Sequence, residues 1–431
     1  MSAHIVPPRD RTPDDPVPPG DPLRICIVTP GQVGSNPRAV KEAQVLRAAG
    51  HAVTLIATRV LDLDEARDQA VIAQAGFAIR RIDLRRGPAW KARRALQILA
   101  GRLHAASGWM GAAILGHSAA TPALIRAACA VPADLYIAHY PAALPAAAAA
   151  ARRHGGALAY DAEDFHLGDW PDGPAHARVR NHVRAVEGRF LPACAFVTAA
   201  SPGIADAYAA AYGVARPQVI LNAFPLAQGA PAPTARGSAE PAPSLYWFSR
   251  TIGPDRGLEC ALRAVAAART RPHLYLRGTP AAGFAEALGA LARSLGLADR
   301  LHLLAPEAPD AMERLAAAYD LGLCGEPGHT RNNGLALSNK LFSYLAAGVP
   351  PVLSATPAQR AFAAETGLSD HLYPIDDHAA LAARLDGLLG DPGRLAAARD
   401  AAWRLGRERF NWEREGAPLP RLAAEACHGR R

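Results

Sequence analysis

The residues best suited to chemistry sit at the starts of two short helices and at the ends of apolar runs. In SNKLFSYLAAGVP, Ser338 to Pro350, Ser338 is placed to cap a helix and Gly348 with Pro350 to stop it. Leu341 and Leu345 share a face, which buries the helix. Asn339 and Lys340 then stand at its N-terminal end, where unpaired N–H groups and a partial positive charge can receive an anion. An ordinary capped helix with a surface lysine gives the same pattern. Arg256, in PDRG ahead of another helix, can grip phosphate oxygens with its planar fork, or be an exposed loop arginine. Gly334, in TRNNGLAL, lets a backbone approach closely.

A second group lies in the first half. His139 ends DLYIAH, where an imidazole can hydrogen-bond a ligand or pass a proton, although a lone histidine is as often structural. Asp161, Glu163 and Asp164 cluster in YDAEDFH. Glu163 and Asp164 read as a carboxylate pair able to act as general base, or as a loop cluster of hydrogen bonds. Gly31 and Gly34 flank the loop PGQVGSNP, and Arg38 and Lys41 on the next helix could meet an anionic group.

These residues need strand ends and helix starts, and the pattern supplies them. RICIVT, a glycine loop, RAVKEAQVLRAAG and HAVTLIAT read as strand, loop, helix and strand, the unit of a parallel sheet. DLYIAHY, GALAYDAED, AFVTAA and QVILNAFP continue the first series. SLYWFSRT, HLYLRG, RLHLLAP, DLGLCGE and PPVLSA form a second. The expected fold is α/β, with two Rossmann-like doubly wound domains facing a cleft. We divide the chain into a disordered leader (1–22), an N-terminal domain (23–225), a linker rich in Ala, Pro and Gly (226–243), a C-terminal domain (244–390), and a helical segment (391–431).

Composition narrows the class. The 431 residues are 50% apolar and 20% charged, as in a soluble globular enzyme. The leader lacks the apolar core of a signal peptide, and no run approaches the ~20 apolar residues of a membrane span. Six scattered cysteines without a C-x-x-C pair argue for reduced thiols in the cytoplasm and against structural zinc. The net charge of +8 fits solubility or an anionic partner, such as a nucleotide, a phosphorylated lipid or a membrane surface; no nucleic-acid motif is present. Residues Arg80 to Arg102 are densely basic, with Trp90, Ile98 and Leu99 interleaved. They read as a solvated basic helix or as a contact with an anionic membrane.

Four stretches make the chain resemble GT-B glycosyltransferases, nearest to glycosyltransferase family 4: TPGQVGSNPRAVKEAQVLRAAGHAVTLIA, FSRTIGPDRGLECALRA, SNKLFSYLAAGVP and ERFNWERE. The third is the most specific. The resemblance implies a nucleotide diphosphate sugar as donor substrate with no separate cofactor or metal. It implies a glycan, lipid-linked saccharide or small-molecule hydroxyl as acceptor, and retention at the anomeric carbon. By resemblance, donor binding falls to Arg250, Arg256, Glu326, Asn333, Gly334, Asn339, Lys340 and Ser343. His139, Glu163 and Asp164 become catalytic, Gly31, Gly34 and Arg38 line the donor or acceptor loop, and the last segment crosses back to the first domain. The chain departs from the family at Ser343 and Leu335, where the family carries glutamates, and in the placement of Arg250 one residue before Thr251. A nucleotide-sugar 2-epimerase and a non-catalytic scaffold are the rival readings, the second resting on Ser343.

Overall fold

The computed structural model describes residues 21–62, 65–85, 87–226, 243–308 and 311–428. The expected leader and linker fall almost wholly outside them.

Two parallel sheets form the architecture. The first contains β1 (Arg24–Val28), β2 (Ala52–Arg59), β3 (Ala78–Asp83), β4 (Leu135–His139), β5 (Ala157–Ala162), β6 (Phe196–Ala199) and β7 (Gln218–Val219), in the order β3-β2-β1-β4-β5-β6-β7. The second contains β8 (Ser244–Ile252), β9 (His273–Pro280), β10 (Leu301–Leu304), β11 (Leu321–Cys324), β12 (Pro351–Ser354) and β13 (Leu372–Tyr373), ordered β10-β9-β8-β11-β12-β13. Strand order reverses between β1 and β4, and again between β8 and β11. In doubly wound sheets such reversals open a crevice at the carboxyl ends of the strands.

Central strands are buried on both faces, hence their unbroken apolar runs: Ile25, Cys26, Ile27 and Val28 are all at most 1% exposed. The alanine tract forms the helix Leu144–His154, closed by Gly155 at φ 72°. Its small side chains let it lie close to the sheet, with Ala146, Ala147 and Ala150 fully buried.

β3 and β13 are two strands that the sequence pattern does not announce. Both are edge strands, which need no continuous apolar run. β3 alternates exposed and half-buried positions, and carries Arg80 and Arg81. The basic stretch is therefore divided: its first part is strand, and its second belongs to the helix Pro88–Ser107.

After the helix Pro392–Glu408 packs on the C-terminal domain, the chain returns to the first sheet. The Trp412 amide donates to Phe224 O at 2.9 Å. Trp412, Leu419, Ala423 and Cys427 are buried in the same core as Leu23, Ile25 and Ile137.

Candidate functional site

The C-terminal half of the site is built on a close backbone approach. Gly257 has φ +68°, and a Cβ there would stand 2.5 Å from Gly325 O. A side chain at this position is excluded on both counts. The contact lays the Pro254–Gly257 turn against the end of β11, with Asp255 (φ 57°) paired to His329 Nε2 at 3.1 Å. Arg256 is exposed and reaches the field of Glu326. Glu326 Oε1 lies 3.0 Å from Lys340 Nζ, which also sits 5.7 Å above the Trp247 ring. Burial pushes the Glu326 carboxyl up, but Lys340 above all, with the Ser338 hydroxyl and Arg256, holds it below its usual range.

The helix Asn339–Ala347 begins at this cluster. Ser338 occupies the capping position, but its hydroxyl makes no cap bond, contrary to the sequence expectation. The first turn is thus left without a side-chain cap, as an anion seat requires. Asn339 is exposed and lines a cavity between the domains.

Three expected donor residues behave differently. Ser343 is fully buried, and its hydroxyl donates to Glu313 Oε1 at 2.9 Å, so it faces the interior. Asn333 is engaged with Thr330: its amide N–H donates to Thr330 Oγ1, and the Thr330 hydroxyl donates to Asn333 Oδ1. Gly334 lies in a short helix, Arg331–Leu335, rather than an open loop, and a Cβ there would meet only Pro357 in ordinary contact at 3.7 Å. Arg250 is exposed near the end of β8.

On the N-terminal side, sheet register pairs His139 with Asp161. Both are buried in one ionic network. Arg38 Nε and Nη2 donate to the two Asp161 oxygens at 2.6 and 2.9 Å, and Arg38 Nη1 donates to Ile220 O at 2.8 Å. The Thr198 hydroxyl donates to Asp161 Oδ1 at 2.7 Å, and His139 Nε2 lies 2.6 Å from Glu42 Oε2. Burial works against the Asp161 charge, yet Arg38 and then His139 hold its carboxyl down at about 2. Burial also works against an imidazolium, but Asp161 and Glu42 raise His139 above its ordinary value. Arg38 and His139 therefore face inward, and neither lines the cavity. This corrects the expectation that Arg38 is open to an acceptor. Lys41 is likewise buried; its Nζ donates to Asn222 Oδ1 at 2.8 Å and to Ala223 O, and burial, with Arg38 beside it, lowers it to about 7.

The glycine loop is also spent on packing. Gly34 N–H donates to Asp68 Oδ1 at 2.8 Å, and a Cβ there would collide with Arg67. Gly31 N–H bonds Thr29 Oγ1, and its carbonyl accepts from Thr58 N–H.

Glu163 and Asp164 do reach the cavity, of ≈ 190 Å³, which they share with Asn222, Ser338 and Asn339. Burial, then the neighbouring Asp164, raises the Glu163 carboxyl. Glu163 accepts from the Tyr140 hydroxyl at 3.1 Å and from Asn222 Nδ2 at 3.2 Å. Tyr140 holds a left-handed φ of 67°, a strained backbone for a tyrosine, beside the cavity. Asn332 joins the domains: its Oδ1 accepts from Phe165 N–H at 2.8 Å, and its Nδ2 donates to Asp164 Oδ1 at 2.9 Å. The Ser201 hydroxyl adds a bond to Leu335 O at 2.6 Å. Sequence reading missed Asn332, Asn222, Tyr140, Glu42 and Glu313. For Asn332 a weak signal exists in the polar run Thr330 to Asn333 between two apolar stretches.

Residues 33–223 match the family of glycosyl transferase 4-like domains. A D-inositol 3-phosphate glycosyltransferase from Rhodococcus jostii is 33% identical over 184 residues; the match covers 40% of this chain and 38% of that relative. The solved structure of Alr3699/HepE from Anabaena in complex with UDP aligns over 93% of this chain and 98% of its own, with 17% identity and a TM-score of 0.66. Sucrose-phosphate synthase from Thermosynechococcus elongatus aligns equally well, at 16% identity, TM-score 0.66, and coverage of 93% and 98%. The matched residues lie within the first half of a GT-B fold, whose second half is the β8–β13 domain.

Proposed function

We propose that the protein transfers a sugar from a nucleoside diphosphate sugar to a hydroxyl acceptor, with retention at the anomeric carbon. One observation carries this reading. Arg256, Glu326 and Lys340 converge at the uncapped start of the Asn339–Ala347 helix, and Asn339 shares a cavity with Glu163 and Asp164 across the domain interface. Breaking the bond from sugar to diphosphate develops negative charge on the phosphate oxygens. The helix mouth, Lys340 and Arg256 receive that charge, with Glu326 holding Lys340 in place. Glu163, raised by burial, is the better placed proton acceptor for the incoming hydroxyl, since a base nearer neutrality transfers protons more effectively. His139 acts from behind, fixing Asp161 and Glu42 rather than touching substrate. HepE was solved with UDP-glucose, so uridine donors come first in a screen. The acceptor is a glycan, a lipid-linked saccharide or a small molecule.

Calorimetric titration with UDP, GDP and ADP tests the reading. Arg256→Ala should weaken binding of the preferred nucleotide by ~1.5–3 kcal/mol, roughly ten- to hundredfold. Unchanged affinity removes Arg256 from the site. Binding of none of the three favours the scaffold alternative, which the inward-facing Ser343 supports.

A further inference from the structure

The helix Pro88–Ser107 leaves its larger apolar residues in solvent. A surface helix ordinarily sends its apolar stripe to the core. Here the small residues Ala100 and Gly101 face inward, Gly101 against Gly116 of the neighbouring helix. Leu96, Leu99 and Leu103, at i, i+3 and i+7, form a stripe alongside that buried face and are 44%, 65% and 45% exposed. Ile98, elsewhere on the helix, is 45% exposed, and Trp109, just past the left-handed Gly108 that ends the helix, is 59% exposed. These five are half of the ten exposed large apolar residues among the described residues, gathered within positions 96–109.

Charge completes the pattern. Positions 84–133 contain seven Arg and Lys and no Asp or Glu. At about 100° per residue, Lys91 and Arg102 fall beside Leu99. Arg81 and Arg85 are committed to ion pairs with Glu65 and Asp83, whereas Lys91 and Arg102 are exposed on the helix. We infer that the Pro88–Trp109 segment lies flat on an anionic membrane surface. Its leucines and Trp109 enter the boundary between headgroups and acyl chains, and its cations reach lipid phosphates along their own apolar stems. No helix among the described residues is long and apolar enough to cross a bilayer, so the contact is peripheral. The helix begins just beyond the carboxyl end of β3 and carries the leucines from its middle onward. The inference does not depend on which reaction the cleft performs.

Sedimentation of the full chain with vesicles tests it. Vesicles of phosphatidylcholine mixed with phosphatidylglycerol should carry the protein down, increasingly less as salt is raised, while phosphatidylcholine alone should not. Leu99→Glu with Leu103→Glu should lower partitioning roughly tenfold or more. These positions are exposed, so circular dichroism should be unchanged. Lys91→Glu with Arg102→Glu should abolish the preference for anionic lipid. Failure to bind the mixed vesicles, equal binding to neutral ones, or insensitivity to the leucine pair overturns the inference. So does a dimer in sedimentation velocity that the leucine pair dissolves while vesicle binding is absent, since the stripe would then cover a second copy.

Discussion

Replacing Asp161 by Asn removes one negative charge from a buried ionic network. Arg38 is 2% exposed, and both of its bonds to Asp161 become weaker or disappear, while its third, to Ile220 O, stays. The guanidinium cannot escape to water from that depth. Breaking a buried pair by removing one partner costs ~3–5 kcal/mol, because the remaining charge is left uncompensated. Asparagine still accepts one bond from Arg38 and one from Thr198, which favours the lower end. For a domain of roughly 200 residues each kcal/mol moves the thermal midpoint by ~2–4 °C, so a fall of ~6–20 °C is expected. Urea denaturation followed by circular dichroism gives the loss directly, provided the slope stays constant. Arg38→Met combined with Asp161→Leu, which removes both charges, should cost less than Asp161→Asn alone. A loss under about 1 kcal/mol for the single change, or a double change that costs the sum of both singles, would refute the claim that burial makes this pair costly to break.

Asn332→Ala deletes the two side-chain bonds joining the Arg331–Leu335 helix to Asp164 and Phe165, and should weaken the closed arrangement by ~1–3 kcal/mol. Faster hydrogen exchange at the Phe165 amide, whose N–H loses its acceptor, is the readout; unaltered exchange would count against it. The Asp161 carboxyl lies at about 2 in the folded protein against an ordinary 3.8, so its stabilisation is complete above about pH 4 and is lost as pH falls through about 2. The loss amounts to about 2 kcal/mol, and acid titration of Asp161→Asn should show a shallower fall than the unmodified protein. Gly257→Ala forces a Cβ toward Gly325 O and should cost ~1–3 kcal/mol in stability while displacing Arg256. Thermal shift with and without nucleoside diphosphate should report both effects, and an unchanged ligand shift would separate the turn from the site.

The parts of this fold that could be read in advance are those whose cause is local. RICIVT and HAVTLIAT announce β1 and β2 because strands buried on both faces need unbroken apolar runs. Ser201 before Pro202 marks a cap, and the Ser201 hydroxyl does accept from Ile204 N–H at 3.1 Å. β3 escaped because an edge strand is free to carry arginines. The approach of Lys340 to Glu326 joins segments fourteen positions apart, one at a strand end and one at a helix start, so their meeting was within reach of sequence reasoning. Arg38 was not, since its partner lies 123 positions away and a helix position by itself does not tell whether a guanidinium turns outward to solvent or inward to a carboxylate. The same holds for Ser343, whose hydroxyl is claimed by Glu313 from a neighbouring helix, and for Asn332, whose amide is used by the other domain.

The helix Leu419–Cys427 closes over β4, β5 and the helix Pro37–Ala48, elements that precede it by some two to four hundred residues. A growing polypeptide must therefore wait, with Ile137 and Ala157 incompletely shielded, until more than two hundred and fifty further residues have been joined. Removing that last helix would leave a sticky, water-exposed flank on the earliest sheet, so a truncated product should precipitate or recruit chaperones even though every strand it needs is present.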